Sequence, residues 1–369
     1  MPGSTISTFT DPYEYQNAIR ATTAQLFVST AGTFKANLTR IDLHRLWMQR
    51  GKETLGRVAH SALTPSRSSV FFLADDQLAP IHRHRMEISP GEILFHGRGA
   101  EAYHRSFAEC RWGAMSLTPD DLTTAGRAIT GYDLIPPTET RLIRPPSKLM
   151  ERLLSLHKAA GELAATVPDI IARPEVARAL EQELVRVMVR CLTEGIAPEP
   201  DDHRHARVPV MRRFEQVLKE NPDQPLHVSE ICAAIGVADR TLRLHCMEHL
   251  GMSPQPYLWL RRMNFARRAL SLADPAKSTV TEIATGQGFW ELGRFAISYR
   301  RLFGESPSET LRSSPRLVTP HPAVQPSASS RRFFTGAGGT GSILREREAN
   351  RSRPQPASGT PNSRARSGQ

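Results

Sequence analysis

Two segments of this chain, about 50 residues apart, follow one plan, and this repetition limits the fold more than any other feature. Val228–Pro254 and Thr279–Pro307 each hold a short apolar stretch, a glycine turn, a longer amphipathic stretch and a closing turn. The closing turns are GMSP at Gly251–Pro254 and GESP at Gly304–Pro307. Because two short helices joined by a glycine turn form a helix-turn-helix unit, we predict two such units in tandem. This arrangement indicates DNA binding.

The second unit begins with a predicted capping box, since Glu282 follows Thr279 by three residues. Gly286 or Gly288 supplies the turn, and the next helix is predicted from about Trp290 to Phe303. At about 100° per residue, Leu292, Phe295, Tyr299, Leu302 and Phe303 share a face that packs on the rest of the unit. The residues predicted to bind DNA are Trp290, Glu291, Arg294, Ile297 and Arg301.

The first unit is predicted to begin at His227-x-x-Glu230, with its turn at Gly236-Val237. Its second helix is predicted from about Asp239 to Leu250, with Leu242, Cys246 and Leu250 buried. The opposite face presents Arg240, Leu244 and Met247, with Thr241 and Arg243 on the flanks. The residues predicted to bind DNA here are Arg240, Thr241, Arg243 and Leu244.

Between the units, Tyr257–Leu272 is predicted to be one helix with two arginine pairs. Its length of ~24 Å suits it to hold two helices near the ~34 Å repeat of successive major grooves. We expect phosphate contacts from Arg261, Arg262 and Arg300, although a solvated helix face is as good an interpretation of any one arginine. Val208–Ser313 has 14 Lys/Arg against 11 Asp/Glu, a net charge of +3, so placement rather than total charge supports DNA binding.

The run GF-x-x-L-G-R-F-x-x-x-Y-R-x-x-FGESP and the paired turns resemble the signature of the AraC/XylS family of transcription regulators. The resemblance covers about Pro209 to Arg312. It implies a DNA-binding domain of two helix-turn-helix units joined by a long helix, with double-stranded DNA and RNA polymerase as partners and a homodimer as the assembly. Ala238 stands where many members have a capping serine, so we expect Asp239 to cap. Leu244 stands where relatives often carry a polar residue, which favours contact with a thymine methyl group.

The first half has a different pattern. Short alternating segments separated by Gly, Pro and Asp run from about Gln25 to Leu117 and predict a small β-barrel or sandwich. Two amphipathic helices are predicted at Ser147–Ala165 and Pro174–Thr193. The fold class is therefore predicted as α+β. With the roles that the resemblance to AraC/XylS regulators implies, we divide the chain into a cupin-like β-barrel at 1–146, a helical dimerisation segment at 147–195, a linker at 196–208, the DNA-binding domain at 209–313 and a disordered tail at 314–369.

The layout of this first half is similar to that of the effector-sensing half of AraC/XylS regulators. The segment Gln25–Val58 resembles the sensing half of ethanolamine-utilisation regulators. The resemblance implies a small-molecule effector of unknown identity bound in the N-terminal domain. The alternative is a constitutive DNA-binding regulator whose N-terminal domain only dimerises.

No catalytic motif points to an enzyme. GxSxG, HExxH, Walker A and a GxGxxG between strand and helix are all missing from the sequence. His82-x-His84 with Glu87 is spaced too closely for a cupin metal site, and we interpret the IHRHR run as an exposed basic turn. Cys110 is expected to be a buried small apolar residue. We therefore expect no catalytic residue, no metal and no cofactor.

The remaining composition indicates a cytoplasmic protein. The four cysteines have no CxxC spacing, no apolar run reaches about 18 residues, and the N-terminus has no basic-then-apolar leader. We therefore expect no membrane contact. Of the net charge of +11, the segment after Ser313 supplies +7, from nine Arg and two Glu. Its richness in Ser, Pro, Gly and Arg predicts disorder.

Overall fold

The computed structural model describes residues 2–75, 79–83, 86–197, 208–221 and 224–313, without the side chains of residues 208 and 209. The predicted disordered tail and most of the predicted linker lie outside these residues. The described strands are β1 (Gly3–Phe9), β2 (Thr22–Val28), β3 (Ala36–Asp42), β4 (Trp47–Glu53), β5 (Arg57–Leu63), β6 (Ser68–Leu73), β7 (Ile81–Arg83), β8 (Met86–Ile88), β9 (Ile93–Phe95), β10 (Glu101–Ser106), β11 (Cys110–Leu117) and β12 (Arg141–Ile143).

The described helices are α1 (Pro12–Ala18), α2 (Pro119–Thr130), α3 (Ser147–Thr166), α4 (Pro168–Ile171), α5 (Pro174–Glu194), α6 (Val208–Glu220), α7 (Val228–Ile235), α8 (Asp239–Leu250), α9 (Pro254–Leu272), α10 (Val280–Gly286), α11 (Leu292–Phe303) and α12 (Pro307–Ser313). The mixture of sheets and helices agrees with the predicted fold class.

The strands form two antiparallel sheets, which we call the large sheet and the small sheet. The large sheet has seven strands in the order β1-β3-β4-β11-β6-β9-β12, and the small sheet has five in the order β2-β5-β10-β7-β8. Within the described residues both sheets are open, because no strand pairing joins their edge strands. The expected closed barrel is therefore wrong, and the sandwich alternative describes the architecture better.

The two faces of the strands explain why the sheets stack in layers. Along β6, Val70 and Phe72 are buried in the core that the large sheet shares with α3 and α5. Ser69 and Phe71 alternate with them and face the small sheet across a cavity. Because both faces of the strand must be covered, the large sheet lies between a helical layer and the small sheet.

The helices α3 and α5 were predicted correctly as elements, and their apolar stripes cover the outer face of the large sheet. Leu153 of α3 and Leu184 of α5 are fully buried there. The carboxylate of Glu181 accepts hydrogen bonds from the backbone N–H groups of Arg45 and Leu46, at 2.6 and 3.1 Å. These contacts fix the helical layer on the turn between β3 and β4.

The C-terminal helices form the two predicted units. The helices α7 and α8 make the first unit, α10 and α11 make the second, and α9 joins them. The capping box at Thr279 is confirmed by hydrogen bonds to and from Glu282 at 2.9 and 3.1 Å. The second unit differs at one point, since α11 begins at Leu292 and Trp290 precedes it. Gly288 has a φ of 75°, so the turn extends further than the sequence pattern indicated.

The small sheet packs directly on the C-terminal helices. Phe27 of β2 lies edge-on to Tyr257 and Phe265 of α9, with ring centroids 6.0 and 5.7 Å away. The side-chain amide of Asn264 donates to the backbone carbonyl of Val28 and accepts from its N–H, at 3.3 and 3.0 Å. One hydrophobic core therefore runs from the small sheet into the helix-turn-helix units.

Candidate DNA-binding surface and internal cavity

The outer face of α8 is exposed as the sequence pattern predicts. Leu244 and Met247 are each 50% exposed, and Arg240 and Arg243 are exposed beside them. Thr241 is half-buried at the flank. The opposite face is fully buried and consists of Leu242, Cys246 and Leu250. The helix therefore presents two cations and an apolar patch to solvent while its other side is fixed in the core.

The outer face of α11 has the same design. Ile297 is 72% exposed and Trp290, just before the helix, is 77% exposed. The Arg294 side chain is 82% exposed and forms an ion pair with Glu291 at 2.8 Å. Arg301 is also exposed. This face therefore combines exposed charged groups with two large exposed apolar side chains.

Both helices end in the same backbone geometry. Gly251 follows α8 with a φ of 69°, and Gly304 follows α11 with a φ of 78°. Their N–H groups donate to the carbonyls of Met247 and Arg300, at 3.1 and 2.9 Å. A glycine in the left-handed region is the usual end of a helix, since it has no Cβ to clash. The repeated GMSP and GESP turns thus arise from one structural requirement.

The arginines predicted to contact phosphate lie in different environments. Arg300 is exposed. Arg261 is only 6% exposed, donates to the carbonyl of Leu218 at 2.8 Å and lies over the Phe265 ring. Arg262 is half-buried over the ring of Phe289, with its centroid at 5.2 Å. Arg261 and Arg262 therefore hold α9 against neighbouring elements, and the expectation for Arg261 is corrected by its burial.

The small sheet contacts α6 through a polar cluster. His60 and Tyr103 are paired across β5 and β10, and their rings are tilted by 58° with centroids 4.8 Å apart. The Tyr103 hydroxyl donates to the Glu215 carboxylate of α6, and Lys219 forms an ion pair with Glu101 at 3.0 Å. Burial lowers the pKa of His60, while the nearby Glu215 and Glu101 carboxylates oppose that shift. The cluster joins the small sheet to the helix that precedes the first unit.

A cavity of about 90 Å³ lies between the two sheets. The small sheet faces it with alternate residues of β2 and β5, with His104 of β10 and with Ile81 of β7, and the large sheet faces it with residues of β4, β6 and β11. Its lining includes Leu26, Arg57, Ala59, Ser61, Phe71, Ile81, His96, His104 and Trp112. No sequence motif marked this cavity, because its walls come from strands far apart in the chain.

A buried charge pair forms one wall of the cavity. Arg57 forms an ion pair with Glu53, and the Glu53 carboxylate also accepts from the Tyr15 hydroxyl and the Trp112 indole, both at 2.9 Å. Burial alone would lower the pKa of Arg57, but the facing Glu53 carboxylate raises it above its ordinary value. Since a buried ion pair needs further hydrogen bonds to offset desolvation, Tyr15 and Trp112 complete this network. The Nη1 atom of Arg57 is buried and has no hydrogen-bond partner among the described residues.

The IHRHR run differs from its expected form. Residues Ile81–Arg83 form strand β7, and Arg83 is only 4% exposed. The prediction of an exposed basic turn is therefore wrong for Arg83, because the strand alternation that buries Ile81 also buries the residue two positions later. His82 points the other way and lies edge-on to Phe107, at 5.3 Å between ring centroids. His84 lies outside the described residues.

Few other groups among the described residues could bind a metal ion or act as a nucleophile. His245, Glu248 and His249 on α8 are the one trio there with ligand atoms within 4.8 Å of one another. All four cysteines are buried and free. Burial raises the pKa of the Cys110 thiol to about 12, which suppresses its thiolate and fits the apolar role expected from the sequence.

Comparison with known proteins agrees with the geometry of the C-terminal helices. Residues 231–313 match the family model described as Helix-turn-helix domain. The probable thc operon regulatory protein of Rhodococcus erythropolis is 37% identical over 136 residues, which are 35% of this chain and 41% of that protein. The XylDLEGF operon transcriptional activator 2 of Pseudomonas putida is 33% identical over 103 residues, 28% of this chain and 66% of that protein. The C-terminal part of the chain is therefore similar to AraC/XylS-type transcriptional regulators.

The matched segments cover less than two thirds of these two relatives' own length. Among solved structures, the AraC-like transcriptional activator CuxR matches with a TM-score of 0.37 and 14% identity, over 70% of this chain and 94% of that one. An AraC-type regulator from Chromobacterium violaceum matches with a TM-score of 0.26 and 26% identity, over 28% of this chain and 90% of that one. Among the described residues, no helix has the length and apolar character needed to cross a lipid bilayer.

Proposed function

We propose that this chain is a sequence-specific transcription regulator that binds double-stranded DNA with α8 and α11. The observation that carries the proposal is the pair of exposed helix faces, each on a helix-turn-helix unit, joined by α9. Each face combines arginines with large exposed apolar groups, which suits both base edges and thymine methyl groups. The relatives named as operon activators favour activation over repression for this chain.

Within this proposal the residues divide by position. On α8, Arg240, Thr241 and Arg243 supply polar contacts and Leu244 an apolar one. At the second unit, Trp290, Glu291, Arg294, Ile297 and Arg301 form the corresponding surface. Arg300 is exposed at the edge of this surface and contacts phosphate. Arg262 is half-buried, and only the exposed part of its side chain reaches phosphate. We leave Arg261 out of the surface because its guanidinium is buried.

The cavity between the sheets is the proposed site of a small-molecule effector, in what we interpret as a cupin-like sensing domain. The small sheet has the cavity on one face and the C-terminal helices on the other. On β2, Leu26 lines the cavity and the next residue, Phe27, packs on α9. On β5, Ala59 lines the cavity and His60 joins the Glu215 cluster. A ligand that shifts these strands therefore acts directly on α9, which joins the two units, and on α6, which precedes the first unit.

The alternative, a constitutive regulator whose N-terminal domain only dimerises, gives the cavity no role. Both proposals include a homodimer, contact with RNA polymerase and a cytoplasmic location, with no enzymatic activity. The apolar stripes of α3 and α5 already cover the large sheet, so a dimer would use their outer faces.

Selection of bound DNA from a random pool with the full chain tests the proposal. We expect one preferred sequence with two separated conserved blocks. A double variant, Arg240→Ala with Arg294→Ala, should lose that preference while its thermal unfolding stays unchanged, since both side chains are exposed. Arg127→Ala, on the distant and exposed end of α2, is the matched control. Failure to enrich any sequence would overturn the proposal.

A further inference from the structure

Three side chains with the chemistry of metal ligands lie on one side of α8. Glu248 and His249 follow His245 by three and four residues, so the three are neighbours on adjacent turns of the helix. One ligand atom of each lies within 4.8 Å of those of the other two. The Nδ1 atom of His245 is 3.9 Å from a carboxylate oxygen of Glu248, and the two imidazole rings have centroids 6.2 Å apart. The three side chains therefore converge on one point.

This trio lies where α8 meets the small sheet, between the exposed and the fully buried faces of the helix. His245 is only 5% exposed, and the side chain of Glu248 is 12% exposed. His249 is half-buried and lines a cleft of about 390 Å³ between α6, α8 and the small sheet. The cleft gives an ion and its water a path to the trio, while the burial of His245 and Glu248 limits competition from bulk water.

The charges in the cleft do not repel a cation. Its lining contains two arginines, Arg98 and Arg212, and two glutamates, Glu101 and Glu139, whose formal charges cancel. The carboxylate of Glu248 adds a negative charge from α8 itself. A divalent cation at the trio is therefore favoured by the nearest formal charge and is not opposed by the lining as a whole.

The donor set identifies the class of ion. Two imidazoles and one carboxylate suit zinc and other divalent transition metals, whereas magnesium and calcium prefer oxygen ligands alone. Zinc holds such ligands in a tetrahedron whose neighbouring donor atoms are about 3.3–3.6 Å apart. The separation of 3.9 Å between His245 and Glu248 is slightly longer than this. Rotation of the Glu248 and His249 side chains, neither of which is fully buried, is enough to close the set.

Three protein ligands leave a fourth tetrahedral position. Cys246 is close in sequence, but it lies on the fully buried face of α8, and burial raises the pKa of its thiol to about 12. A thiol binds zinc as its thiolate, so Cys246 is not a ligand at neutral pH. Water from the cleft completes the set, as in zinc sites with three protein ligands.

We propose that His245, Glu248 and His249 bind one divalent transition-metal ion, of which zinc suits the donor set best. An ion held by both histidines joins two successive turns of α8 and stabilises its C-terminal half. The sequence led us to expect no metal, since HExxH is missing, but the two histidines here have the same spacing of four residues. The inference concerns the chain without DNA, so it does not depend on the proposed function.

Calorimetric titration of the chelator-treated full chain with zinc chloride tests the inference. One ion per chain should bind with a micromolar or lower Kd, and millimolar magnesium should not compete. His249→Gln and Glu248→Gln should each weaken binding at least about tenfold, because even the loss of a ligand's own hydrogen-bond partner has an effect of that size. His249→Cys supplies another zinc ligand and should retain binding. His82→Gln is the matched control, because it removes a histidine from the His82-x-His84 pair, and it should leave the affinity unchanged.

Thermal unfolding guards against misfolding. Zinc at about 100 times its Kd should raise the Tm of the unaltered chain and of His249→Cys by about 3 °C or more, and should not raise that of His249→Gln. Circular dichroism without metal should show the same helix content in all variants, and if His249→Gln loses helix, Glu248→Gln decides the test. The inference is overturned if zinc does not bind with a micromolar or lower Kd, if folded His249→Gln and Glu248→Gln bind it as tightly as the unaltered chain, or if His82→Gln abolishes the binding.

Discussion

Replacing Gly251 with alanine tests whether the small sheet is docked on the first unit. Gly251 ends α8 with a φ of 69°. A Cβ at this position would lie 0.8 Å from Nη1 and 2.0 Å from Cζ of Arg105, a residue of β10 in the small sheet. Gly236, after α7, is the matched control, because its φ is 71° but a Cβ there meets no atom within 4 Å. The two substitutions share the backbone cost and differ only in the contact across the interface.

The magnitudes follow from these two contributions. A non-glycine residue in the left-handed region costs about 1–2 kcal/mol, so Gly236→Ala should reduce the free energy of unfolding by that amount. Gly251→Ala adds the displacement of the Arg105 guanidinium, which lies over the Phe107 ring at 4.5 Å from its centroid. Loss of such a cation–π contact costs about 0.5–1 kcal/mol at a partly exposed site. The total for Gly251→Ala should be about 1.5–3 kcal/mol.

Urea unfolding of the full chain, followed by circular dichroism, measures these differences. Arg105→Ala provides the decisive control, since it removes the obstacle. In the Arg105→Ala background, Gly251→Ala should cost no more than Gly236→Ala does, so the double-mutant cycle should show a coupling of about 0.5–1 kcal/mol. If Gly251→Ala and Gly236→Ala cost the same and Arg105→Ala changes neither, then Arg105 does not lie against α8. The docking of the small sheet would then be refuted.

Three further predictions use other parts of the chain. Arg294→Ala should keep the fold and cost roughly 1–3 kcal/mol of specific binding, and an equal loss on random DNA in a filter-binding titration would reduce its role to phosphate contact. Since burial and Arg83 lower the pKa of His96 to about 3, its neutral form is preferred in the fold, so stability should be full above about pH 6.5 and fall as the pH decreases towards 3. His96→Gln should flatten that pH dependence, and a parallel profile would contradict the burial of a neutral imidazole. Removing the residues after Ser314 should lower the salt dependence of non-specific binding and leave the selected site unchanged, whereas an altered site would show that the tail takes part in recognition.

The helices of the C-terminal domain were predictable because local signals fix them. The capping box at Thr279 and the left-handed glycines Gly236, Gly251 and Gly304 mark where helices begin and end. The apolar spacing between those points then determines which face is buried. The start of α11 was placed two residues early, because the left-handed Gly288 extends the turn. These features depend on residues within one or two turns of each other, so a single sequence contains them.

The sheets and the cavity depend on contacts between distant residues, which local sequence patterns do not predict. The short segments are recognisable as strands, but β2 pairs with β5 at positions as far apart as Thr22 and Leu63, and such pairings set the order of each sheet. Arg83 was misplaced because its basic neighbours obscured the alternation with Ile81. Charge alone predicts Arg261 on the surface, although Tyr257 and Leu258, four and three residues earlier, are buried on the same side of α9.

Contact mapping on the selected DNA site tests the central claim that two helices of one domain bind DNA together. Hydroxyl-radical footprinting of the full chain should show two groups of contacts per bound domain, about 10 base pairs apart on one face of the duplex. Arg240→Ala should weaken contacts in one group and Arg294→Ala in the other. The claim is contradicted if each domain gives a single group of contacts, or if a half-length site binds as tightly as the full site.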